Sequence, residues 1–282
     1  MLEIELAKLR QHQKRVTRFL PLHKRIIVDR HYERLAEQLK LFYKPTKRAV
    51  LCGSNYPNTL YQLNGCLNDV ENMTTLLRSY EYTDFTVLTD KTTVRPTARN
   101  ILAAFTNLLK VSKSGDTLFF YYSGHGSFEK GAYEQDDLLI GSDLASIKDD
   151  VLKNTLRTYL KPNTRLFAVF DNCFSGTQLD LRYNYLSSDG QPNIDTTKDE
   201  TKAIVCMFSG CSDKQTSADA FINGNYCGAM SNAFQQVFGP KKNVTFRNCL
   251  IQMREILLLG NFEQVPQFQS GRPLNLDGFV NF

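Results

Sequence analysis

Histidine is scarce in this chain. Four of 282 residues are histidine, and three of them, His12, His23 and His31, fall in a basic N-terminal stretch. His125 is left as the one imidazole in the body of the sequence, and therefore the one imidazole base available there near neutral pH. Other shortages exclude whole classes of protein. No apolar run approaches the ~20 residues that span a bilayer, and no secretory leader opens the chain, so the expectation is a cytoplasmic location without a membrane partner. Seven cysteines are an odd number without zinc-type spacing. Cys206 and Cys211 make a near pair, but no second pair completes a set of four ligands, and the thiols are expected to be reduced. No glycine-rich phosphate loop follows the first predicted strand, which argues against a nucleotide-binding domain. No nucleic-acid-binding motif accompanies the positive charge, and there is no repeat or low-complexity segment.

What charge there is lies unevenly. The whole chain is +5, residues 1–48 are +8, and the rest is net −3. A basic extension on a mildly acidic body points to contact between the two, or to an acidic partner for the extension. Apolar residues in the first 42 positions recur with helical spacing on both sides of Pro21, so two amphipathic helices are expected there. The chain accordingly divides into a helical extension over 1–45 and a catalytic-type domain over 46–282.

Two stretches of that domain share one design. DTLFFYYSGHG (116–126) and TRLFAVFDNCFSG (164–176) are apolar strands that stop at a polar, glycine-bearing turn. One delivers His125 and the other Cys173. In parallel α/β sheets ligands bind beyond the carboxyl ends of the strands. A thiol within reach of an imidazole is the minimal cysteine nucleophile, because the base produces the attacking thiolate. The plainer alternative, an inert buried cysteine and a structural histidine, is common. Glycines flank both positions and permit close backbone approach to a ligand.

In chain order the domain reads strand, helix, strand, helix, strand: RAVLCG, then CLNDVENMTTLLRSY, a strand over 85–88, TARNILAAFTNLLKVS, and the His125 strand. This order signals a parallel sheet with right-handed crossovers. Residues 128–150 read as an acidic, turn-rich stretch. A helix over 151–160 leads into the Cys173 strand. Residues 177–202 read as a mobile polar loop, and 203–208 as a further strand. Helices near 226–238 and 244–260 follow, then QVPQFQSGRPLNL as a loop with at most a short final strand.

YYSGHG followed by DNCFSG, each at a strand end, resembles the metacaspases, of the caspase-like cysteine peptidase clan. LNGCLNDVENM, SGCSDKQTSADA and QVPQFQSGRPLNL are similar to further segments of that family, so the resemblance covers about 46–282. It implies an α/β, caspase-type, six-stranded and mostly parallel sheet flanked by helices on both faces. It also implies a calcium-dependent endopeptidase that cleaves protein or peptide substrates after Arg or Lys. His125 and Cys173 would form the dyad, and the N–H groups of Gly126 and Cys173 the oxyanion site.

A cationic substrate side chain needs carboxylates in its pocket. Asp171 sits two residues before the nucleophile, and Asp69 at the opening of the first domain helix, where a helix cap is an equally good reading. By resemblance, Asp69, Asp171, Ser123 and Cys66 form the specificity pocket. By resemblance too, Asp136, Asp149, Asp150 and Asp180 hold calcium, which favours several hard oxygen ligands. An ordinary solvated acidic loop beside a helix N-terminus is the alternative. Phe174 departs from the histidine that most of the family carries after the nucleophile. The insertions of type II enzymes are missing, which implies a compact, monomeric, type I-like form. The extension is a candidate self-inhibitory segment, as in a zymogen, and Arg182, Lys198 and Lys202 are candidate self-cleavage sites. The rival reading is a catalytically silent caspase-fold interaction module.

Overall fold

The computed structural model describes residues 2–42, 44–130, 135–173, 175–176, 178–185, 191–210, 219–222, 224–239 and 243–282. Two helices open the chain, α1 (Leu2–Thr17) and α2 (Leu22–Phe42). They fold back on one another at Pro21, where the Leu20 N–H donates to the Thr17 carbonyl. Leu6 and Tyr32 are buried in the seam between them, His12 Nδ1 stands 2.5 Å from the Tyr32 hydroxyl, and Gln13 donates to Asp29. Among the described residues, a contact at its foot joins this hairpin to the body. The Lys113 ammonium lies 3.9 Å from the centre of the Phe42 ring.

The body begins with β1 (Lys47–Gly53), α3 (Cys66–Ser79), β2 (Asp84–Thr89), α4 (Ala98–Val111) and β3 (Thr117–Ser123). β4 (Gly126–Lys130), β5 (Gln135–Ile140), β6 (Ser146–Lys148), α5 (Asp149–Tyr159) and β7 (Arg165–Asp171) follow. The remainder is β8 (Tyr183–Tyr185), β9 (Asn193–Ile194), β10 (Ile204–Ser209), β11 (Asp219–Ile222), β12 (Asn225–Gly228), α6 (Ala229–Phe238), α7 (Phe246–Leu259) and β13 (Gln267–Ser270). Helix starts follow the sequence chemistry. The Thr97 hydroxyl accepts from the Asn100 N–H ahead of α4, and Thr245 does the same for Asn248 ahead of α7, each satisfying an orphan donor of the first turn.

The main sheet runs β2-β1-β3-β7-β10-β13-β8-β9. The five strands from β2 to β10 are parallel, and β13 is antiparallel to β10. These six carry the expected caspase-type core. Among the described residues the short β8 and β9 extend this sheet beyond β13. Those two strands lie in the stretch read as a loop, and their alternation is too brief to stand out among polar residues.

Side-chain alternation along the strands explains the layers. Leu51, Phe119, Tyr121, Phe167, Val169 and Phe208 face α3, α6 and α7. Val50, Phe120, Tyr122, Ala168, Phe170 and Met207 face α4 and α5. Buried on both faces, these strands read as continuous apolar runs, as parallel strands do.

The acidic stretch after His125 is also corrected. It forms a separate three-stranded antiparallel sheet, β4-β5-β6, and β11 pairs β12 in a hairpin. Phe174, Cys211 and most of SGCSDKQTSADA lie outside the described residues.

Candidate active site

The register of β3 on β7 places the two catalytic candidates. Ser123 pairs with Asp171 as the last step of that ladder. His125 and Cys173 each stand two residues beyond it, at the same height on neighbouring strand ends. The Gly124 N–H donates to the Asp171 carbonyl, carrying the connection one step further. Gly126 then meets Cys173 directly. A Cβ on Gly126 would lie 2.0 Å from the Cys173 carbonyl oxygen and 2.3 Å from Asn172 Nδ2. The same Asn172 amide donates to the Cys173 carbonyl at 2.7 Å. Among the six described cysteines, Cys173 alone is not buried. Burial pushes the thiols of Cys52, Cys206 and Cys249 well up, which keeps them protonated and inert.

The imidazole is oriented by a group that sequence reading missed. His125 Nε2 lies 2.6 Å from the Tyr61 carbonyl. A carbonyl only accepts, so Nε2 carries the N–H and Nδ1 is left with the lone pair. The backbone around His125 is held as firmly. Its N–H donates to the Tyr56 hydroxyl at 2.9 Å, and its carbonyl lies 2.9 Å from the Tyr122 hydroxyl. The Tyr56 and His125 rings are 4.6 Å apart. Burial raises the ionisation of both phenols well above the usual range, so both remain neutral hydroxyls. A backbone acceptor such as Tyr61 leaves no side-chain signature, which is why no motif could reveal it.

Gly126 also has an N–H to offer. The Ile140 N–H donates to the His125 carbonyl, which makes Gly126 and Leu139 a pair without mutual hydrogen bonds in the β4–β5 ladder. The Gly126 N–H is therefore turned away from β5.

Asp69 is not a helix cap. The residue ahead of α3 is Gly65, with no side-chain cap. The fully buried Asp69 carboxylate instead accepts from the Ser123 hydroxyl at 2.9 Å and from the Gly228 N–H at 3.0 Å. Asp171 is 3% exposed and accepts from the N–H and hydroxyl of Ser231 at 2.9 and 2.6 Å. The two carboxylates converge on one glycine. A Cβ on Gly228 would lie 2.1 Å from Asp171 Oδ2 and 3.1 Å from Asp69 Oδ2. Gly228 and Ser231 were not singled out from sequence, because their segment carries no charge or motif. Cys66 opens α3, its N–H donating to Asn55 Oδ1. Its thiol is buried.

The four aspartates matched to calcium supply the hard oxygens such an ion favours. As placed they are engaged separately. Lys148 pairs with Asp136 at 3.0 Å and also with Glu129. Asp180, at a positive φ of 48°, pairs with Lys153 and Lys198. Asp149 is 8% exposed and accepts from the N–H groups of Asp150 and Asp137. Its carboxyl is pushed up to about 6, chiefly by burial. Asp150 is exposed. Among the described residues, no three carboxylate, imidazole or thiol groups gather in a way that could hold a metal ion. A calcium ion would therefore have to displace the lysines from Asp136 and Asp180.

Comparison with known proteins places this arrangement. A family model described as "Metacaspase, peptidase C14 domain" matches residues 47–182. Metacaspase-1 of Yarrowia lipolytica is 34% identical over 82% of this chain and 63% of its own length. Metacaspase-1 of Mycosarcoma maydis is 32% identical over 82% and 72%, and Metacaspase-2 of Trypanosoma brucei brucei 32% over 82% and 75%. The chain thus spans less than two thirds of the Yarrowia relative. Caspase-1 from Spodoptera frugiperda has a similar fold, with a TM-score of 0.56 at 14% identity over 85% of this chain and 92% of that one. A Geobacter sulfurreducens protein, GSU0716, has a TM-score of 0.61 at 21% identity over 80% and 93%.

Proposed function

The chain belongs to the metacaspase family, and from that premise we propose that it is a cysteine endopeptidase cleaving after Arg or Lys. The observation that carries this reading is the meeting of Gly126 with the Cys173 carbonyl under the Ser123–Asp171 register. It supports reading His125 and Cys173, each two residues beyond the end of neighbouring strands, as partners in one reaction.

The chemistry follows from the atoms. His125 Nδ1 takes the proton from Cys173 Sγ while the Tyr61 carbonyl holds Nε2–H. The thiolate attacks the carbonyl carbon of the peptide bond. The N–H groups of Gly126 and Cys173 receive the oxyanion. The imidazolium gives its proton to the leaving amine, and an acyl-enzyme forms. A water deprotonated by His125 then releases the acid and restores the thiol. Asp69 and Asp171, two buried carboxylates aimed at one glycine, favour a cation between them. That supports Arg or Lys as the residue preceding the cut.

Asp136, Asp149, Asp150 and Asp180 would hold a calcium ion, which would supply the positive charge that orders the loops after the two catalytic strand ends. An ion there would have to replace Lys148 at Asp136 and Lys153 and Lys198 at Asp180. The N-terminal hairpin is proposed to restrain the enzyme until a cut at a basic residue. Its foot on Lys113, ahead of β3, lies at the opposite end of the strands from His125, so restraint would require the hairpin to move. The rival reading, a silent caspase-fold interaction module, is disfavoured by the presence of both a histidine and a cysteine, His125 and Cys173, beyond neighbouring strand ends.

One assay tests the whole reading. Fluorogenic peptides ending in Arg, Lys or Asp are offered to wild-type and Cys173→Ala protein, with calcium or with excess chelator. Cleavage of Arg and Lys peptides by wild type with calcium alone is expected. No turnover under any condition would favour the silent module, and full activity in chelator would remove the calcium claim.

A further inference from the structure

The bend of the N-terminal hairpin carries a surface that neither the dyad nor the sheet uses. Phe19, Leu22 and Ile27 are 84%, 75% and 68% exposed, with Val16 and Ile26 exposed beside them. Large apolar side chains grouped this way mark an interaction site rather than ordinary surface. Charge around them is of one sign. Between Glu5 and Asp29 the chain has no acidic residue. Lys14, Arg15, Arg18, Lys24 and Arg25 occupy the last turn of α1, the bend and the first turn of α2. The acids of the hairpin lie further from the bend, with Asp29 tied to Gln13 and Glu37 to Lys40. Arg25 also donates to the Leu20 and Arg18 carbonyls, which fixes the bend as a shaped tip.

We propose that this tip is a peripheral docking element for an anionic lipid surface. Phe19, Leu22, Ile26 and Ile27 would enter the headgroup and acyl boundary. The surrounding lysines and arginines would meet lipid phosphates and carboxylates. Interfacial elements combine these two features, an apolar face set among cations. A protein groove would accept the apolar residues, but a bend whose charges from Lys14 to Arg25 are all cationic suits an extended anionic plane. No helix among the described residues is long and apolar enough to cross a membrane. The sequence expectation of no membrane partner rests on spanning segments alone, and surface docking needs none. The proposal is independent of whether the dyad turns over.

The test is co-sedimentation of full-length Cys173→Ala protein, in which self-cleavage cannot remove the tip, with two kinds of vesicle. One is phosphatidylcholine alone and the other contains about one third phosphatidylserine. Binding to the second kind only, weakening as salt rises, is expected. Arg18→Gln with Lys24→Gln should weaken it about 25-fold, at about fivefold per cation. Phe19→Ser with Ile27→Ser should weaken it at least about tenfold, with an unchanged thermal melt showing that the body is intact. No binding at low salt, or binding that survives the Phe19 and Ile27 changes, overturns the proposal. So would an equilibrium sedimentation result showing a dimer that the same two changes dissolve, since the tip would then serve a second copy.

Discussion

Gly126 meets the Cys173 main chain with no room for a side chain between them. A Cβ on Gly126 would stand 2.0 Å from the Cys173 carbonyl oxygen, and a backbone carbonyl held by Asn172 cannot step aside cheaply. Gly126→Ala should therefore shift the nucleophile or the histidine loop. A displacement of about 1 Å costs on the order of a hundredfold in rate. Steady-state kinetics on an Arg peptide, with a melt to confirm folding, checks this. Activity within threefold of wild type would show that the contact does not position the site.

Removing either member of the dyad should be far more severe. Cys173→Ala and His125→Ala are each expected to lose several orders of magnitude in kcat, and the double variant little more, because nucleophile and base act as one unit. Tyr56→Phe should be milder. It leaves the His125 N–H without its phenol partner, at about 1–3 kcal/mol for a buried donor. The loss should appear in kcat rather than KM.

Substrate choice should follow the two buried carboxylates. Asp171→Asn keeps the volume and removes the charge, and is expected to lower kcat/KM on Arg and Lys peptides by about a hundredfold or more, as breaking a buried pair does. Gly228→Ala should do the same by another route, since its methyl would lie 2.1 Å from Asp171 Oδ2. A peptide panel separates the two. A variant that keeps its Arg preference would remove Asp171 from the pocket.

The acidity of Asp149 sets a pH dependence. Its folded carboxyl titrates at about 6 against an ordinary 3.8. Below 3.8 both states are protonated and the group contributes fully to the folded state. Between 3.8 and 6 the unfolded chain gives up its proton first, so stability falls as pH rises and levels off above 6. Asp149→Asn should therefore raise the melting temperature at pH 7.5 and change it little at pH 4. If Asp149 also binds calcium, the same change should reduce the rise in melting temperature that calcium produces at pH 7.5. An unchanged calcium response would remove it from the ion site.

What could be read from the sequence was whatever one stretch of chain determines. The apolar runs ending in His125 and Cys173 announced buried parallel strands. Features assembled from distant, polar or backbone groups left no such trace. The Tyr61 carbonyl contributes no side chain, Gly228 meets Asp69 across 159 positions, and β8 is three residues long among polar neighbours. The four aspartates matched to calcium by resemblance show the converse. Their motif positions are plain in sequence, while their lysine partners follow only from the fold.

The order of strands also decides what a cut between β7 and β10 would do. Lys198 and Lys202 lie there, yet β7 and β10 are neighbours in register, and β8 leans on β13 from the far end of the chain. A molecule hydrolysed at Lys198 would therefore persist as two interlocked polypeptides sharing one sheet, of native mass in solution and separable only by denaturation. Once denatured, each piece would lack the neighbour that completes its sheet, so the nick would be silent in the folded molecule and irreversible after unfolding.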